Sequence, residues 1–575
     1  MSYQSKKQKY EILRGQLDYE RQSFKSHWQD LADYITPRRA RFFVTDANRG
    51  ERKNQKIIDS TATLAVRTLS SGMMSGITSP ARPWFKLSTD NPSFNEIGAV
   101  KEWLHDSSQR MSAVFLKSNL YNSLPLLYKD LGTFGTGCIA VLPNDDKVIH
   151  TQSFPIGSYW IGKDSTGKVN VFMREFRMTV DQLIEQFGYE GSRDGKPVWD
   201  RFSAFVKSEW DKNNRQTWVD VRHVVMPNDE YDPRRLHSKY KKFISCYYEA
   251  GTAAGNTQSV SLTADDKLLS EKGFNYFPIL CPRWEVSGED VYATDCPGMT
   301  ALGDIKQLQI GEKRAAQAIE KMVNPPMSAP ISMKGSKLST LPGDVSYVAD
   351  ASGQQGFKPV HEVNPRIAEL EGKQEQVRQR IRKAFFEDLF LMLSNIDRRQ
   401  ITAREIEARH EEKLLALGPV LEQLNIDLLD PLIDITFYAR LERDMFAPIP
   451  EELKGVPLKI EYISVMAQAQ KLVGISGIER FSGFVAQVAG LNPEVLDKYD
   501  LDQAIDVYGD ITSIPPSLIR TDDKVAQIRQ QRAKAQQAQM APEQALQATG
   551  AIRNLAASNL KDENALSEMM KGLGR

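Results

Sequence analysis

Cysteine is scarce in this sequence: Cys138, Cys246, Cys281 and Cys296 are the four among 575 residues. None stands in CxxC spacing, so neither a zinc knuckle nor a redox dithiol motif is indicated, and free thiols in a reducing compartment are expected. Histidine is scarce too. His27, His105, His150, His223, His237, His361 and His410 form no HExxH or other helical metal pair, which removes the commonest zinc hydrolase pattern. There is no G-x-S-x-G elbow either. Net charge is absent: Lys plus Arg and Asp plus Glu both number 74. A chain that grips nucleic acid tightly usually carries a basic excess, so any such contact here is expected to be local or weak. Long apolar runs are missing as well. Ile57–Ile77 is low in charge, but Asp59, Arg67 and its many Ser, Thr and Gly residues make it too polar to span a bilayer. It reads as a helix packed closely through small residues. The opening MSYQSKKQKYEIL is charged and has no apolar h-region, so no signal peptide is expected.

What is present is the ordinary composition of a large globular chain, 41% hydrophobic and 26% charged, enough for several domains. Tyr10, Leu13, Leu17, Phe24, Trp28, Leu31 and Ile35 recur at helical spacing and predict a helix over 7–36, ended by Pro37 and the basic Arg38, Arg39 and Arg41. Further helices are expected at 57–77, 98–120 and 122–133, the last stopping in FGTG (134–137). From Cys138 to about Trp284 short β-prone runs take over: CIAVL, SYWIG, VNVFMREF, TWVDVRHVV and KKFISCYYEA, separated by Asn, Asp and Gly. One short helix, 179–187, interrupts with a capping box of Thr179 and Gln182 and a terminating Gly188. Helices resume over 300–323, 366–393 and from Thr402 towards Met445, the last interrupted at Gly418-Pro419 and Asp430-Pro431. Between the first two lies a Pro-, Gly- and Ser-rich insertion. A strand at Leu458–Tyr462 and helices at 464–489 and 494–507 follow, then a Gln- and Ala-rich tail. The fold class is α+β, predominantly helical.

Gly162–Lys168 matches G-x-x-x-x-G-K, the start of a phosphate-binding loop. The next residue is Val169 where that motif needs Ser or Thr, and VNVFMREF after it alternates as a strand, so Asp164–Gly167 reads as a hairpin turn. The acidic Glu405, Glu407, Glu411 and Glu412 lie among Arg404, Arg409 and Lys413, a salt-bridged helix face rather than a two-metal centre. Lys306, Lys313, Gln317 and Lys321 fall on one polar stripe opposite Leu302, Ile305, Leu308 and Ile319. Arg378, Arg380, Arg382 and Lys383 lie on the second helix, and Asp397, Arg398 and Arg399 in the loop beyond it. By composition these are ordinary exposed charges; a functional reading requires a geometry that gathers copies of them around one axis.

Four segments together supply such a geometry by resemblance: DSTATLAVRTLSSGMMSGITSPARPWFKL (59–87), FGTGCIAV (134–141), KRAAQAIEKMVNPP (313–326) and TAREIEARHEEKLLALGPVLEQLNIDLLDPLI (402–433). Their order and spacing over about 10–510 resemble the portal (head–tail connector) family of short-tailed double-stranded-DNA bacteriophages. The resemblance implies a subunit of a homo-oligomeric ring of about twelve copies, with a central channel closed by a heterologous interface. It implies a wing over 1–298 and 402–463, stem helices at 299–323 and 366–393, a clip at 324–365, a tunnel loop at 394–401, a crown at 464–520 and a C-terminal helix or tail at 521–575. Lys306, Lys313, Lys321, Arg398 and Arg399 become the expected DNA-facing positions. Asn395, Asp397, Arg398, Arg399 and Gln400 become the tunnel loop, and Lys334, Lys337 and Asp344 the clip contacts. The implied partners are further copies of the chain, double-stranded DNA held through its backbone, terminase, tail adaptors, and major capsid and scaffolding proteins. No cofactor, metal, catalysis or membrane span is implied. The implied location is the portal vertex of the virion, after assembly in the host cytoplasm. The competing readings are an enzyme of the packaging machinery and a capsid scaffold without a channel.

Overall fold

The computed structural model describes residues 5–43, 50–91, 94–95, 97–192, 194–251, 267–323, 327–328, 358–359, 366–395, 417–463, 481–490, 492, 498–505 and 524–535. The chain divides into two compact units, one of Met1–Ser88, Leu104–Ile449 and Leu458–Val473, the other of Thr89–Trp103, Pro450–Pro457 and Gly474–Arg575.

In the larger unit, α1 (Lys6–Tyr34) begins at a capping box in which Ser5 and Gln8 each accept the other's backbone N–H. Tyr10, Leu17, Trp28 and Leu31 form its buried stripe. The strand-rich region forms two antiparallel sheets. The five-stranded one runs in chain order: β4 (Tyr159–Lys163), β5 (Val169–Thr179), β6 (Trp218–Pro227), β7 (Phe243–Gly251) and β8 (Ser270–Phe274). The other has the order β3-β2-β9, from β2 (Cys138–Asn144), β3 (Val148–Phe154) and β9 (Ile279–Leu280).

Side-chain alternation gives the five-stranded sheet two buried faces. Trp160, Met173, Val224, Ile244, Cys246 and Tyr248 pack under Tyr10 and Leu17 of α1. Met178, Val219 and Val221 pack with α5 (Val180–Phe187) and α6 (Ala204–Asp211). The Thr179–Gln182 capping box is present. Gly188 ends α5 in right-handed backbone, and a Cβ there would come 2.5 Å from the Ile184 carbonyl oxygen, so close approach rather than a left-handed turn demands glycine. The five expected strands are all found. β3, β8 and β9 were not anticipated: β9 is two residues long, too short to show a period, and β3 interleaves exposed His150 and Gln152.

The helical expectation for 57–77 is met by α2 (Thr61–Gly76), and small residues do set its packing. It lies against α4 (Leu120–Phe134), where Leu69 meets Gly132 and Ser70 Oγ donates to the Pro125 carbonyl at 2.6 Å. Between them in sequence lie β1 (Phe85–Thr89) and α3 (Gly98–Lys117). α7 (Pro297–Val323) then pairs with α8 (Ile367–Ala384). Two short strands, β10 (Met327–Ser328) and β11 (Lys358–Pro359), pair antiparallel at either end of the insertion.

The helix expected over 366–393 is broken. α8 ends at Ala384 with Phe385 as its cap, Phe386 takes φ +54°, and α9 (Glu387–Asn395) restarts. The break redirects Leu389 and Phe390 into the core, with Phe390 packed on Gly72 of α2. Further on, helical residues 417–424 run into a π-helical turn, Asn425–Leu429, and then α10 (Asp430–Leu441). Asp430-Pro431 follows directly on that π-helical turn, so the regular α-helical ladder is interrupted there, as expected, and helix resumes as α10. β12 (Leu458–Tyr462) pairs with β1. The capping box expected at Thr402 and Glu405 lies outside the described residues.

In the smaller unit, helical residues span 481–489, 501–505 and 524–535. Arg529 forks onto Asp502 at 2.6 and 2.7 Å, and Phe481 meets Tyr499 edge-on at 5.6 Å. Most of the expected 521–575 tail lies outside the described residues. No described helix is long and apolar enough to cross a membrane.

Candidate functional site in the paired helices

The two long helices flanking the insertion carry the charges singled out in the sequence. Their inner seam is built first. Ala301, Ile305, Leu308 and Gln309 are the buried face of α7, and Gln374, Val377 and Ile381 that of α8. Gln309 is only 4% exposed, and its amide makes three hydrogen bonds. Its Oε1 accepts from the Ile58 and Asp59 backbone N–H groups at 2.6 and 2.8 Å, while Nε2 donates to the Asp59 carbonyl at 2.9 Å. The turn before α2 is thus clamped to the middle of α7.

Asp59 completes the junction. Its Oδ1 accepts from the Thr61 N–H at 2.7 Å and its Oδ2 from Arg378 Nε at 2.9 Å. Arg378 also donates to Glu312 of α7 at 2.5 Å and to Glu375 at 3.4 Å. Burial tends to raise the Asp59 pKa, but the hydrogen bonds from Thr61 and Arg378, and the charge of Arg378, outweigh it and hold the carboxyl below its ordinary value. One step towards the other end of the pair, Arg380 forks onto Asp304 at 2.7 and 3.1 Å.

Lys306 does not stand free. Its Nζ lies 2.7 Å from Asp30 of α1 and over the Tyr34 ring at 5.5 Å. Lys313, Arg314 and Lys321 are exposed and have no ion pair among the described residues. The expected apolar side of the stripe holds for Ile305 and Leu308, whereas Ile319 is 43% exposed, and Met322 and Val323 beyond it are exposed too. The outer half of α7 therefore leaves the body of the unit with both its charges and its apolar side chains uncovered. Asn395 is the last residue of α9, and nothing is described of its side chain. Asp397, Arg398, Arg399 and Gln400, with Lys334, Lys337 and Asp344, lie outside the described residues.

The Gly162–Lys168 segment is the β4–β5 hairpin. Asp164 Oδ1 accepts from the Thr166 and Lys168 N–H groups, and Gly167 takes φ +83°. Arg283 locks this hairpin to the π-helical turn: it donates to the Gly167 carbonyl at 3.0 Å and forks onto Asp427 at 3.0 and 3.1 Å, with Arg283 and Asp427 both 5% exposed. Among the described residues no group of three or more metal-ligating side chains gathers. Sequence reasoning missed Asp59, Gln309, Arg283 and Asp427. The legible signal was a polar Gln309 at a core position of the α7 stripe and an aspartate two residues before α2.

A family model for bacteriophage head to tail connecting proteins matches residues 7–519. The chain belongs to this family. As a member of a phage connector family it is a structural component of the virion. The connector is 47% identical over 560 residues to the portal protein of Salmonella phage epsilon15, covering 97% of both chains. It is 42% identical over 557 residues to the probable portal protein of Bordetella phage BPP-1, covering 97% and 96%. In this connector two long helices flank the insertion, and a short antiparallel strand pair joins its ends.

Proposed function

We propose that the chain assembles as a homo-oligomeric ring whose axis is a channel for double-stranded DNA, entered during genome packaging and left during ejection. The near-complete alignment to two phage portal proteins carries this reading. In it, 299–323 and 366–393 form the stem, 324–365 the clip, 394–401 the tunnel loop and 464–520 the crown. The rest of the chain up to 463 forms the wing, and 521–575 a C-terminal extension. The clip residues Lys334, Lys337 and Asp344 face the terminase motor and later the tail adaptors, and the ring sits at one capsid vertex among major capsid and scaffolding proteins.

The exposed state of Lys313 and Lys321 supports their place as rings of charge on a stem, together with Arg398 and Arg399 of the tunnel loop. Lys306 contributes less, because Asp30 offsets its charge. Such rings touch phosphates and read no bases, and their attraction is screened by salt, which suits DNA that must move through. The balanced overall charge fits a surface over which DNA slides. No chemistry is assigned: the one nucleotide-like motif is a hairpin whose loop atoms are already bonded to Asp164 and Arg283.

Negative-stain electron microscopy of the purified protein tests the assembly. Rings with a central hole are expected; monomers or open filaments would overturn the reading. ATP hydrolysis by the purified ring would favour a packaging enzyme instead.

A further inference from the structure

Cys138 and Cys281 lie with their sulfurs 3.3 Å apart in the buried interior. We propose that this pair is a disulfide site, reduced as the chain is made and closed by oxidation in the finished particle.

The backbone places the two thiols. β2 and β9 pair antiparallel with Ile139 opposite Leu280, so Cys138 and Cys281 stand opposite each other one step along. The register continues beyond the strands, with Gly137 N–H donating to the Pro282 carbonyl and Val141 N–H to the Pro278 carbonyl. Cys138 and Cys281 therefore occupy a non-hydrogen-bonded pair of the ladder. Opposed residues at such positions have Cα atoms about 4.5 Å apart, with side chains on the same side of the sheet. That spacing falls at the short end of the range of about 4.4–6.8 Å that a disulfide spans. Closing the bond needs the sulfurs to approach from thiol contact, with no movement of the strands past one another.

The other two cysteines have no such geometry. Cys246 meets the Tyr10 hydroxyl at 3.4 Å, and Cys296 points to the Thr133 carbonyl at 3.4 Å. Neither has a second thiol as its partner. Burial pushes the Cys138 thiol well above its ordinary pKa, with its contact to Cys281 adding to the shift. The Cys138 thiol is thus protonated and slow to react at neutral pH.

A small neutral peroxide is the oxidant suited to so enclosed a pair. One sulfur attacks the peroxide oxygen, and water leaves to give a sulfenic acid. The second sulfur displaces the hydroxyl as another water, so two thiols and one hydrogen peroxide become one disulfide and two waters. The bond would tie β2 to the segment that carries Arg283 and leads into α7. The biological timing rests on the chain being a virion component; the chemistry does not.

The test treats the native full-length protein with hydrogen peroxide, then denatures it, alkylates the remaining thiols and maps peptides without reduction. The expected result is a peptide pair joined through Cys138 and Cys281, with Cys246 and Cys296 alkylated and two of the four thiols lost. The thermal midpoint should rise and fall back on adding a thiol reductant. The proposal is overturned if all four thiols stay alkylatable, if Cys138 and Cys281 end as separate sulfinic acids, or if linkage involves Cys246 or Cys296. Cys246→Ser should leave the joined pair intact, which separates register-directed pairing from scrambling.

Discussion

Arg378 of α8 donates from Nε to the carboxylate of Asp59 at 2.9 Å, across 319 positions of chain. The same guanidinium reaches Glu312 of α7. One side chain thus joins both long helices to the turn that starts α2. Replacing Arg378 by Ala leaves Asp59 and Glu312 facing each other without a cation. A loss of about 1.5–3 kcal/mol is expected, the usual scale for hydrogen bonds to charged groups. Arg378→Lys should recover only part, since an ammonium cannot reproduce the planar fork. Urea unfolding followed by circular dichroism measures both.

Asp59 itself supplies a pH signature. Its carboxyl is held below its ordinary value in the folded chain. Its stabilising contribution is complete above the unfolded carboxylate pKa and is lost as pH falls through the lower folded value. The stability difference between the native chain and Asp59→Asn should therefore shrink on acidification below about pH 4. A difference that stays constant to pH 2 would contradict the assignment.

His223 has a depressed pKa for a different reason. Burial disfavours its charged form, and the nearby Arg174 guanidinium adds to this, so it lies well below 6.5. Its ring stacks on Tyr247 at 3.9 Å, and Nε2 meets Ser245 Oγ at 2.9 Å. The unfolded chain takes up a proton near pH 6.5 that the folded chain refuses. Stability from this residue is therefore full above that pH and declines as pH falls, by at most about 1.4 kcal/mol per unit. His223→Gln should flatten that slope between pH 6.5 and 5 in equilibrium denaturation.

Arg283 and Asp427 form a buried pair, and breaking it from one side strands a charge. Arg283→Met alone should cost about 3–5 kcal/mol, while Arg283→Met with Asp427→Leu should recover much of the loss. A double-mutant cycle on unfolding midpoints reads the coupling. Additive effects would contradict a direct pair.

Gly72 is a packing constraint. A Cβ there would lie 2.2 Å from the Phe390 ring. Gly72→Ala should destabilise by about 1–3 kcal/mol through overpacking. Phe390→Leu in the same chain should relieve part of that, again measured by thermal unfolding.

Several features were legible in one dimension because they are local. The period of α1, the Thr179–Gln182 cap and the alternation of β5 depend on residues within a turn or two of each other. Val169 after Lys168 settled the hairpin in the same way. The family followed from the order of segments along the chain. Helix 366–393 was misjudged because its pattern is unbroken; what breaks it is the burial of Phe390 against Gly72, more than three hundred residues away in sequence.

The stem charges divide along the same line. The sequence by itself determined that Lys306, Lys313 and Lys321 share one stripe of a helix. Only the tertiary structure decided that Lys306 is paired with Asp30 while the other two stay exposed, because charge pairing depends on which remote helix packs alongside. The same holds for the cysteines: their spacing in the chain excluded a CxxC site, and strand register alone brought Cys138 to Cys281.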